Sequence, residues 1–131
     1  MRNRAFSSAS LAAVACALLL GTCLTAAEAT RIVRIRSHIT IKSHDLTFSG
    51  RVSASNAACD AGRKVTLYRK GPLVLGSTTT NSAGRWKITP SGFAGISFGR
   101  FYARVARRSE GAAGTIYVCR EARSRTIGVT P

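Results

Sequence analysis

The sequence has little acid. Five Asp and Glu stand against 20 Lys and Arg among 131 residues, a formal net charge of +15 with histidine neutral. It also holds only two histidines, three prolines, one tryptophan and one methionine. These scarcities exclude a good deal. After position 29 the carboxylates are Asp45, Asp60, Glu110 and Glu121, and no two are spaced for general acid–base work or for ligating a hard cation. His38 and His44 stand well upstream of any cysteine pairing, and no CxxC exists, so no zinc-type ligand set is legible. A phosphate-binding GxxxxGK[ST] loop is missing too. The expectation is a chain with no metal, no cofactor and no catalytic centre.

A long hydrophobic run is absent as well. Arg2 and Arg4 precede a short apolar stretch, Leu11 to Leu20, which Gly21, Thr22 and Thr25 interrupt. A membrane-spanning helix needs about 20 apolar residues. Ala27-Glu28-Ala29 then supplies the small-x-small pattern of a secretory cleavage site. This predicts a signal peptide over residues 1–29 and a single extracytoplasmic domain over 30–131, secreted or held at the cell envelope. Leu20-Gly21-Thr22-Cys23 approaches a lipobox, so a lipoprotein tethered at Cys23 is the alternative. Thr22, however, stands where a smaller residue is usual.

Removal of the leader would take Cys16 and Cys23 and leave Cys59 and Cys119. In an oxidising compartment two cysteines pair, and a metal site or a free catalytic thiol has no supporting neighbours. A bridge closing 60 positions is worth about 4 kcal/mol on the chain-entropy model.

No segment after residue 29 repeats apolar residues at helical spacing. What recurs is alternation with period two, broken by Gly, Pro, Asn and Ser. In TRIVRIRSHITIK, Val33, Ile35, Ile39 and Ile41 share one face. Past Ser43-His44-Asp45 the phase changes, and Leu46, Phe48, Gly50 and Val52 share the next. Val65 and Leu67, Trp86 and Ile88, then Phe101, Ala103 and Val105 continue the inward series, with Ile127 and Val129 closing it. Seven or eight short strands predict an all-β, antiparallel sandwich, with a small closed barrel as the alternative. In the turn before Trp86, Gly84 is positioned for a positive φ, and Asn81 and Ser82 for side-chain capping.

The run Thr80-Asn81-Ser82-Ala83-Gly84-Arg85-Trp86 resembles the T-D-x-x-G-x-aromatic turn of carboxypeptidase regulatory-domain-like modules, with Asn81 in place of the usual Asp. The resemblance extends over roughly residues 46–129, through Phe48-Ser49-Gly50-Arg51-Val52, Cys59, Gly62 to Leu67, Phe101 to Val105, Cys119 and Ser124. It implies a transthyretin-like or Ig-like sandwich, similar to small secreted bacterial modules, and carries over no catalytic residue. The strand from Ile32 to Lys42 lies outside it.

Gly95-Ile96-Ser97-Phe98-Gly99 fits the G-x-S-x-G nucleophile elbow. That elbow needs a following helix, whereas RFYARVAR alternates like a strand. An α/β-hydrolase would also place its histidine after the serine, and none occurs after His44. Other chain orders would draw on His38 or His44 with Asp45 or Asp60, yet nothing brings them to Ser97. The expectation is a glycine-rich loop with Phe93, Ile96 and Phe98 tucked beneath it, and a small secreted serine hydrolase is the alternative.

Charge is what remains. Residues 30–131 hold 18 Lys and Arg against four acids, about +14 net. Clusters occur at Arg31/Arg34/Arg36, at Arg63/Lys64 with Arg69/Lys70, at Arg104/Arg107/Arg108 and at Arg120/Arg123/Arg125. The last two groups are the candidate polyanion-binding residues. Such a field attracts polyanions at long range. Anionic envelope polymers, or a surface protein, are the expected partners of a monomeric, non-catalytic adhesion module. No motif of a specific nucleic-acid reader is present.

Overall fold

The computed structural model describes residues 29–91 and 98–131. Residues 1–28 of the expected leader, Cys23 among them, and Ser97 with Phe93 and Ile96 lie outside the described residues.

Period-two alternation becomes short strands wherever one face can be buried. In chain order they are β1 (Arg31–Ile35), β2 (Ser37–Ile39), β3 (Lys42–His44), β4 (Thr47–Ala54), β5 (Lys64–Arg69), β6 (Leu73–Thr79), β7 (Arg85–Ile88), β8 (Gly99–Val105), β9 (Arg108–Ala112), β10 (Thr115–Cys119), β11 (Ala122–Arg123) and β12 (Ile127–Val129). A 3-10 turn, Ala57–Cys59, interrupts them and is capped by Asn56, whose Oδ1 accepts from the Ala58 N–H.

Two sheets face each other. One runs β11-β8-β5-β6, with β12 continuing the β11 edge along β8. In the other, β4 is central, flanked by β2 and β3 on one side and by β7 on the other. Between them lies the core: Ile39, Ile41, Phe48, Val52, Trp86 and Ile88 from one sheet, and Val65, Leu67, Leu75, Phe101, Ala103 and Val105 from the other. Phe48 and Phe101 meet with ring centroids 4.8 Å apart. The fold is therefore the expected all-β sandwich, and the alternating residues named above mostly point as the sequence predicts.

The strand count is higher than seven or eight, because long alternating runs break and change partners. The first run divides at Arg36. β1 leaves to pair in parallel with β10, forming a third sheet with β9, while β2 and β3 pair with β4. A second break falls at Thr40–Ile41, where the chain passes so close to Gly50 that a Cβ there would overlap the Thr40 carbonyl oxygen.

Cys59 and Cys119 form the predicted disulfide, with Cα atoms 5.4 Å apart. They pack with Ile35 in a second, smaller cluster that joins the third sheet to the sandwich.

Arg63 corrects one sequence expectation. Its cluster with Lys64 suggests a surface charge, yet Arg63 is fully buried. Its guanidinium donates to Ser37 Oγ at 3.0 Å and to the carbonyls of Cys59, Ala106 and Arg120 at 2.6, 2.8 and 3.0 Å. Four separate segments thus converge on one side chain. The Arg63 N–H donates to Thr80 Oγ1, which donates in turn to the Asp60 carbonyl. The first residue of the turn motif is therefore part of the same knot.

Candidate anion-binding site

The sheet centred on β4 turns its alternate residues outward, and these are basic or hydroxylic. The register sets them in rows: Lys42, Ser49 and Lys87 across the three strands, and Thr40, Arg51 and Arg85 across the next. Thr40 is anchored to Arg51, whose backbone N–H donates to its Oγ1 at 2.9 Å. Along a strand, residues two apart are separated by about 6.6 Å, so the rows form a flat lattice of charges. A cleft of about 800 Å³ lies over this surface. Thr78, Thr79 and Asn81 line it too, as does Arg125 from the β11–β12 connection.

Among the described residues five cations line the cleft (Lys42, Arg51, Arg85, Lys87 and Arg125), and no carboxylate does. Arg51 faces Arg85 directly across β4 and β7. Like charges in register destabilise a sheet by roughly 0.2–1 kcal/mol. An anion seated between them would reverse the sign of that interaction. Arginine forks suit phosphate, sulfate and carboxylate oxygens, and the surrounding hydroxyls supply further donors. Trp86 packs in the core with little exposed surface, and it also borders the cleft.

The candidate residues read from sequence separate. Arg104 and Arg123 stand opposite each other on the outer face of the β8 sheet. Arg123 is already engaged, its guanidinium lying 3.9 Å from the centroid of Tyr102, which in turn stacks on Tyr68 at 5.2 Å. Arg108 is half-buried and tied to the Gly62 carbonyl at 2.5 Å and to Glu110. Arg107 and Arg120 are exposed, and the Arg120 carbonyl serves Arg63. Of the six, Arg125 alone reaches the cleft. Sequence reasoning did not single out Lys42, Arg51, Arg85 and Lys87, because they are spread over 46 positions and become neighbours only through pairing. The available signal was their shared outward phase within alternating strands.

Among the described residues no group of His, Cys, Asp or Glu could hold a metal ion, and no helix is long and apolar enough to cross a membrane. His44 lies beside Asp45, Nε2 to Oδ2 at 3.1 Å, with both side chains in solvent. Phe98, expected beneath the glycine-rich loop, is instead exposed. No family model, curated protein or solved structure matches the chain.

Proposed function

We propose that this protein is a non-catalytic, exported binding module that holds anionic polymers of the cell envelope in the cleft over β3, β4 and β7. The observation that carries this reading is the in-register pairing of Arg51 with Arg85, inside a cleft that the described residues line with five cations and no carboxylate. Such a lattice is unfavourable to the fold when empty and favourable when an anion fills it. The Cys59–Cys119 bridge suits an oxidising compartment. Likeness to transthyretin-like or Ig-like secreted modules is part of the same proposal, as is the absence of a catalytic role for Ser97.

Binding of the exported, oxidised protein to envelope polymer and to DNA across a salt series tests it. The combined Arg51→Gln, Arg85→Gln and Lys87→Gln variant is expected to lose most envelope-polymer binding and to flatten its salt dependence by about three contacts' worth. Unchanged binding by that variant would refute the cleft as the site. Equal retention on every polyanion, lost in parallel as salt rises, would refute recognition and leave only charge.

A further inference from the structure

One end of the sandwich is unlike the rest of the surface. Among the described residues five large hydrophobics are exposed, and four gather around this end: Leu46 at 44 %, Leu73 at 44 %, Val74 at 51 % and Phe98 at 46 %. Their proximity follows from the register. The β3–β4 hairpin closes through Asp45–Leu46, with His44 opposite Thr47. The β5–β6 hairpin closes through residues 70–72, with Arg69 opposite Leu73. β8 starts beside that turn, since the Lys70 N–H donates to the Arg100 carbonyl at 2.8 Å. A cleft of about 600 Å³, lined by His44, Leu46, Phe98 and Val129 among others, joins the ends of the two facing sheets.

Leu46 is held there against its backbone preference. Asp45 and Leu46 have φ of 48° and 60°, the left-handed pair of a two-residue hairpin turn. Asn-Gly or Asp-Gly suits such a turn, and leucine is disfavoured at its second position. Burial offsets the strain only in part, because the residue is 44 % exposed and lies outside the core. Strain of this kind, at an exposed apolar tip, accompanies a binding role more readily than a folding one.

The charges nearby choose the occupant. Lys70 and Arg100 are exposed around the apolar tips, and the Arg69 guanidinium lies close to Gly99. Asp45 faces His44. Apolar side chains on separate turns with cations between them match a bilayer interface, where acyl insertion adds to attraction by anionic headgroups. We propose that this end docks on an anionic lipid surface, with Leu46 and Phe98 entering the interface and Lys70 and Arg100 meeting the headgroups. The proposal is independent of the polymer-binding cleft.

Vesicle co-sedimentation of the full exported protein tests it, using phosphatidylcholine alone and an equimolar mixture with phosphatidylglycerol. Salt is kept high enough to screen simple adsorption. Preferential binding to the anionic vesicles is expected. Leu46→Asn, which suits the left-handed position, should reduce the partition coefficient about tenfold while melting no lower than the parent. Phe98→Ser should act in the same direction, and the Arg51/Arg85/Lys87 glutamine variant should keep its vesicle binding. The proposal is overturned if Leu46→Asn binds vesicles as well as the parent does. It also falls if the glutamine variant abolishes vesicle binding. Sedimentation velocity supplies a third check: self-association that Leu46→Asn removes, with vesicle binding intact, would assign the apolar end to a second copy of the chain.

Discussion

Arg63 is a cation in a site without solvent contact, held by four acceptors from four segments. Burial, and then the neighbouring Arg108, lower its pKa from the usual arginine value, while Asp60 acts in the opposite sense. Removing the side chain would strand Ser37 and three carbonyls in a closed site. Arg63→Met is therefore expected to cost about 3–5 kcal/mol in urea denaturation, the range for breaking a buried polar knot. Arg63→Lys should recover little of this, because an ammonium cannot reproduce the planar fork. A loss below about 1 kcal/mol would show that the convergence is incidental.

At the scale of elements, turns set the register of the strands they join. Asn81 Oδ1 accepts from the Ala83 and Arg85 N–H groups at 3.0 and 2.9 Å, and Gly84 has φ of 73°. Asn81 thus supplies the capping that the sequence assigns jointly to Asn81 and Ser82. A Cβ at Gly84 would press on the Val52 carbonyl oxygen, whose own N–H is bonded to Gly84 O at 2.8 Å. Gly84→Ala should lower stability by about 2 kcal/mol in thermal or chemical denaturation, from strained φ and overlap together. The β3–β4 turn makes the opposite case: Leu46→Asn should raise stability by about 1 kcal/mol, since it relieves strain and exposes no core.

For the whole molecule, the disulfide and the charge act in opposite directions. The bridge closes 60 positions and ties the third sheet to the sandwich. Its reduction is expected to lower stability by about 4 kcal/mol, measured by denaturation with and without reductant. Self-repulsion among the cations destabilises the compact state and is relieved by bound polyanion. A polymer filling the cleft at 100 times its Kd should add about 2.7 kcal/mol and raise Tm accordingly. Much of the fold was legible in advance because period-two alternation reports which residues share a face. Ile39 and Ile41, Phe48 and Val52, Val65 and Leu67, and Trp86 and Ile88 all enter the core on that signal. Leu46, which the same signal places inward, and Phe98, expected beneath a loop, are exposed instead, since a turn and a strand start do not obey the period of the strand beside them.

By itself the sequence determined the all-β class, the inward phase of most strands, the cysteine pair, the Asn81–Gly84 turn and the excess of positive charge. All of these depend on local spacing or on counting. Only the tertiary structure decided that Arg63 lies buried, that the first alternating run changes sheets at Arg36, and that Lys42, Arg51, Arg85 and Lys87 share one surface while Arg125 reaches its rim. Each of those depends on contacts between positions far apart in the chain. Period and composition carry no information about which strand lies beside which.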